Sequence, residues 1–78
     1  MIWVDVHLFG YIARYSPTGK ETFRLELDSE ATISELLAKI QFPSEVERVV
    51  LVNGHQANFS TRLADGDEVF IFVPVAGG

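Results

Sequence analysis

Apolar and polar residues alternate from Ile2 to Phe9, with Ile2, Val4, Val6 and Leu8 on one side and Trp3, Asp5, His7 and Phe9 on the other. A period of two predicts a strand with one aliphatic face. Turn residues Ser16, Pro17 and Gly19 interrupt the pattern across a long loop over residues 10–20. Alternation resumes from Thr22 to Asp28, where Phe23, Leu25 and Leu27 oppose Arg24, Glu26 and Asp28. The spacing then changes to a helical one. Thr32-Ile33-Ser34-Glu35 matches a capping box, and Ile33, Leu36, Leu37 and Ile40 form one apolar stripe that ends before Phe42-Pro43. Arg48 to Val52 predicts a strand leading into Asn53-Gly54, a dipeptide suited to a tight hairpin, with a short return strand at His55 to Ala57. After the Asp65-Gly66-Asp67 turn, Glu68 to Val75 predicts the most apolar strand of the chain.

One helix among five strands predicts an α+β layer, with a mixed sheet covered by the main helix on one face. Both the first and last strands have antiparallel partners next to them in sequence. The simplest arrangement therefore sets these two side by side and parallel in the middle, which is the β-grasp, or ubiquitin-like, topology. Seventy-eight residues suffice for one domain. The expected division is a β-grasp domain over 1–73 and a flexible Gly-Gly tail over 74–78.

Composition narrows the chemistry. Six Lys and Arg against eleven Asp and Glu give a net charge of −5, which disfavours nucleic acid and favours a basic protein surface as partner. With no cysteine in the sequence there is no disulfide, thiolate metal site or iron–sulfur cluster to consider, and a reducing compartment is expected. Asp5 and His7 interrupt the N-terminal apolar run, no stretch approaches the roughly 20 apolar residues of a membrane span, and a cytoplasmic location is expected. The two histidines, His7 and His55, lack metal-ligand spacing, and no Gly-rich loop precedes a helix, so no bound cofactor or metal and no catalysis by this chain alone are expected. Two features remain. His7, Phe70 and Phe72 fall on the helix-free side of the alternation, as a docking surface would, with acidic side chains such as Asp65 steering the encounter. The tail Pro74-Val75-Ala76-Gly77-Gly78 could project about 17 Å from the sheet, and glycine lets backbone pass through a narrow channel.

Leu63-Ala64-Asp65-Gly66-Asp67-Glu68-Val69, followed by Pro74-Val75-Ala76-Gly77-Gly78 and preceded by Val52-Asn53-Gly54, resembles the MoaD/ThiS family of ubiquitin-like sulfur carriers along the whole chain. The proline and short spacer before Gly-Gly look more like the molybdopterin synthase small subunit than the thiamine branch, although that branch often has two prolines where this chain has Val73-Pro74. The resemblance implies that an ATP-dependent adenylating enzyme activates the carboxylate of Gly78, that a sulfur donor converts it to a thiocarboxylate, and that Gly77 supplies clearance. Alternation and the tail together make His7, Phe70, Phe72, Pro74, Val75 and Ala76 the expected partner-binding residues, and the resemblance implies as partners the adenylating enzyme and the large catalytic subunit of molybdopterin synthase. Three alternatives stand beside it: a carrier for thiamine or another thiolation pathway, a ubiquitin-like modifier joined to target lysines, and a noncovalent interaction module.

Overall fold

The computed structural model describes residues 1–74. Its strands are β1 (Ile2–Leu8), β2 (Thr22–Leu27), β3 (Val49–Val52), β4 (His55–Ala57) and β5 (Glu68–Phe72), with one α-helix, α1 (Ile33–Lys39). They form a single mixed sheet in the order β2-β1-β5-β3-β4. The central pair, β1 and β5, runs parallel, while β2, β3 and β4 each pair antiparallel with a neighbour. This is the ubiquitin-like β-grasp expected from the order of elements.

The helix begins where its capping box lies. Glu35 N–H donates to Thr32 Oγ1 at 3.3 Å, and Thr32 N–H donates to Glu35 Oε1 at 3.2 Å, so two orphan donors of the first turn are satisfied reciprocally. The far end closes before the expected Phe42-Pro43 stop. Gln41 takes a left-handed φ of 58°, Phe42 N–H donates to Leu37 O and Gln41 N–H to Ala38 O, which is a Schellman closure with glutamine in the usual glycine position. Ile33, Leu36, Leu37 and Ile40 are all buried against the aliphatic face of β1 and β5, where Val6, Leu8, Val69 and Ile71 are fully enclosed.

Three expectations change. Residues 10–20 are not simply a loop: Gly10–Tyr15 is a 3₁₀ helix that drives Ile12 completely into the core. The φ of +73° at Gly10 turns the chain off the end of β1, and Ile12 then closes that end of the sheet. β3 starts at Val49 rather than Arg48, and β5 stops at Phe72, short of the expected end at Val75, which itself lies outside the described residues. The cause of the last difference is that β5 runs out of neighbours. Val49↔Phe72 is the final pair with β3, β1 has already turned at Gly10, and Pro74 has no N–H to offer a ladder.

The two predicted turns meet each other. Asn53 and Gly54 have φ of 53° and 86°, the left-handed pair that a two-residue hairpin demands. The Asn53 amide donates to Asp67 Oδ1 at 2.8 Å and accepts from Glu68 N–H at 2.9 Å. Asp65 Oδ1 accepts the Trp3 N–H at 2.8 Å, and Asp67 Oδ2 accepts the Ala64 N–H at 2.8 Å. The Asp-Gly-Asp segment is thus a joint that ties the start of β5 to β1 and to the β3–β4 hairpin. Asp65 is accordingly a turn anchor, and its neutralisation would perturb backbone geometry as well as any steering of a partner.

Candidate functional site: an aromatic face beside the departing chain

The sheet leaves its second face uncovered by α1, and strand register arranges that face in rows. One row runs Leu51, Phe70, His7, Thr22 across β3, β5, β1 and β2. The imidazole of His7 stacks on Phe70 with ring centroids 4.5 Å apart and planes within 12°, and Phe9 stacks on Phe70 at 5.9 Å. Phe70 is therefore the centre of a three-ring stack. The adjacent row, Val49 and Phe72, continues the apolar surface towards Pro74. On the other side lies a charged row, Glu68, Asp5 and Arg24.

His7 is held at both nitrogens. Nε2 lies 3.2 Å from Glu68 Oε2, and Nδ1 lies 3.1 Å from Thr22 Oγ1. A carboxylate only accepts, so the neutral ring satisfies both bonds with its proton on Nε2 and the Thr22 hydroxyl donating to Nδ1. The ring cannot rotate without losing both bonds and its stack on Phe70. A residue that alternation places merely on the outer side is thereby oriented by two strands that flank its own.

Phe72 contributes at the edge of this surface. With Phe9, Gly10, Tyr11, Val73 and Pro74 it lines an open, mostly apolar groove of about 360 Å³. Phe9 is 47% exposed and Tyr11 59%, whereas Phe70 and Phe72 are half-buried. Exposed aromatic surface of this kind, with polar groups at its border, is what protein interfaces bury at their centres. The structure brings His7, Phe70, Phe72 and Pro74 into one surface. Val75, Ala76, Gly77 and Gly78 lie outside the described residues. Phe9 and Tyr11 join the surface as additions to the predicted set: alternation already put Phe9 on this side, but Tyr11 arrives through the 3₁₀ turn, which has no periodic signature.

Among the described residues, no three His, Cys, Asp or Glu side chains gather as metal ligands. No helix among them is long and apolar enough to cross a membrane.

Comparison with known proteins agrees with this architecture. The ThiS family model matches residues 6–78. No curated protein matches the chain. Among solved structures, small archaeal modifier protein 1 from Haloferax volcanii is similar at 29% identity, over 97% of this chain and 99% of that one, with a TM-score of 0.76. A provisionally assigned molybdopterin converting factor subunit 1 from Pyrococcus furiosus is 28% identical over 96% and 100% of the two chains, with a TM-score of 0.80. A chain from the complex of subunits 1 and 2 of molybdopterin-converting factor from Helicobacter pylori is 28% identical over 99% and 100%, with a TM-score of 0.68.

Proposed function

Since the chain belongs to the ThiS family, as a sulfur carrier or ubiquitin-like modifier, we propose that it carries sulfur as a thiocarboxylate on Gly78 and serves as the small subunit of molybdopterin synthase. The observation that carries this reading is the family match, which extends through Gly77 and Gly78. The chemistry follows from the carboxylate. Its charge is delocalised and oxide is a poor leaving group, so a nucleophile does not displace it directly. Reaction with ATP joins the Gly78 carboxylate to AMP and releases pyrophosphate. Sulfide supplied by a donor then attacks the acyl carbon as hydrosulfide, AMP leaves, and the C–O bond to the phosphate is exchanged for the C–S bond of the thiocarboxylate. ATP belongs to the adenylating enzyme, and the sulfur comes from outside a chain that has no cysteine of its own.

The aromatic face supplies docking. It borders the point where Pro74 leaves the sheet, so a partner that covers Phe70, His7 and Phe72 receives the following residues at the same contact. The Helicobacter pylori neighbour, seen in complex with subunit 2, supports a large catalytic subunit as such a partner. With a net charge of −5, the chain suits a partner with a basic rim.

Intact mass after incubation with ATP, an adenylating enzyme and a sulfur source tests the carrier reading. Replacement of one oxygen by sulfur adds roughly 16 Da, by the acyl-transfer stoichiometry. An unchanged mass with an enzyme that loads a known carrier would remove it. The modifier reading has its own support in the 29% identity to the Haloferax volcanii protein. It predicts an amide between Gly78 and a target lysine, which survives thiol treatment and, because Arg62 is the last basic residue, leaves residues 63–78 attached to that lysine after tryptic digestion.

Docking has a separate readout. Phe70→Ala removes the central ring of the stack, and loss of a buried aromatic anchor typically costs about 2 kcal/mol or more. Binding to the adenylating enzyme or the large subunit is expected to weaken at least about 30-fold. Phe72→Ala is expected to act in the same direction, and thermal melts check that each variant is folded. Wild-type affinity in both would place the docking surface elsewhere.

A further inference from the structure

Strand order leaves β2 with one edge unpaired, and the hydrogen-bond phase shows which groups that edge presents. Leu8 N–H donates to Glu21 O at 2.8 Å, just before the ladder in which His7 faces Thr22 and Val6 faces Phe23. Antiparallel pairs alternate, so Phe23, Leu25 and Leu27 bond towards β1, while Thr22, Arg24 and Glu26 turn their N–H and C=O groups outward. Lys39 confirms the phase, because its Nζ reaches the Glu26 carbonyl at 2.6 Å from outside the sheet. Arg24 and Glu26 also carry opposite charges on the same, helix-free face.

From this juxtaposition we propose that β2 pairs antiparallel with β2 of a second copy of this chain, about a two-fold axis at Leu25. In that register the outward backbone groups of Arg24 meet those of Glu26 in the other copy, and the reverse pair forms by symmetry. Each arginine then lies directly across from a glutamate. Sliding the register by two residues one way sets Arg24 against Arg24, and the other way sets Glu26 against Glu26. Slipping it by one residue sets outward groups against inward ones and throws the aliphatic side chains onto the wrong face. The charge pattern thus selects one alignment among the neighbours.

Two features fit the pairing into the rest of the molecule. Arg24 has a side chain 68% exposed, resting 3.5 Å from Asp5 and 5.1 Å above the Trp3 ring, and to reach across the edge it exchanges these two solvent-exposed contacts for the glutamate of the other copy. A two-fold axis normal to the sheet keeps both helices on one side and both aromatic faces on the other. Because β1 separates β2 from β5, the Phe70 surface and the departure point at Pro74 stay open in the pair. Lys39 is the counterweight. It caps the Glu26 carbonyl in the single copy and must swing away for the edge to close, so the pair is weak and reversible.

Sedimentation equilibrium of the full chain over a concentration series is expected to show a monomer–dimer equilibrium. Arg24→Glu places glutamate against Glu26 twice and is expected to raise the dissociation constant about tenfold or more, as like charges directly across a ladder do. Arg24→Glu combined with Glu26→Arg restores opposite charges and is expected to recover the pair. Lys39→Ala frees the carbonyl and is expected to tighten it. In the wild type, amide exchange at Arg24 and Glu26 should slow with protein concentration, a readout that needs no variant. A monomer at every concentration overturns the proposal. So does a dimer that Arg24→Glu leaves intact in a folded protein, since that result puts the contact on the aromatic face or elsewhere.

Discussion

Deletion of Gly78 is expected to abolish sulfur loading and leave the melting temperature of the body unchanged. Under the carrier reading, the acyl carbon belongs to Gly78, and its removal withdraws the carboxylate by one residue, about 3.5 Å at full extension. A displacement of even 1 Å can cost about 100-fold when reacting atoms are held in a near-attack geometry, so loading should fall by at least that factor. A bulky side chain at Gly77 is expected to act comparably, by adding a Cβ and more where bare backbone passes. Stability should be indifferent, because the buried core runs from Ile2 to Ile71. Mass spectrometry of the loading reaction, paired with a melt, separates the two effects. A deletion variant that still gains roughly 16 Da by the same stoichiometry would move the chemistry off Gly78 altogether.

Leu36→Ala should have the opposite signature, with the body lost and the tail chemistry untouched in principle. Leu36 has no exposed surface and sits at the middle of the α1 stripe, amid the side chains that join helix to sheet. Truncation leaves a cavity that a closely packed interior refills only partly, at a cost of about 2–5 kcal/mol. A domain of this length has about 4–12 kcal/mol in total, from typical per-residue stability. The expected loss is therefore a large fraction of the whole, and the midpoint of thermal unfolding should drop by roughly 8–40 °C. An unchanged melt would mean that α1 does not pack through this residue.

The strands and helix were legible because each is a local repeat. Val4, Val6 and Leu8 recur every second residue, Ile33, Leu36, Leu37 and Ile40 follow the helical spacing, and each set is buried on one side. Capping and turn chemistry are local too, which is why Thr32 with Glu35 and Asn53 with Gly54 do what their spacing predicts. The 3₁₀ helix at Gly10–Tyr15 was hidden because a run that short has no period to detect, and Ile12 is the only branched aliphatic residue between Gly10 and Lys20.

The sequence by itself determined which residues of the strands and of α1 face inward, where the hairpin and the Asp-Gly-Asp turn fall, and that aromatic side chains accumulate on the outer side of the two strands that the topology makes central. It also carried the Gly77-Gly78 pair and the resemblance that goes with it. Only the tertiary structure decided which outward residues become neighbours. His7 and Glu68 are 61 positions apart, and Trp3 and Asp65 are 62 apart, yet each pair is hydrogen-bonded. The parallel registration of β1 with β5 creates both, placing His7 on Phe70 and the Asp65 turn under Trp3. Periodicity states a side chain's face and nothing about its partner on the next strand. That information exists only once the long-range hydrogen-bond ladder has chosen a register, because a shift of one residue would turn every one of these side chains to the other face.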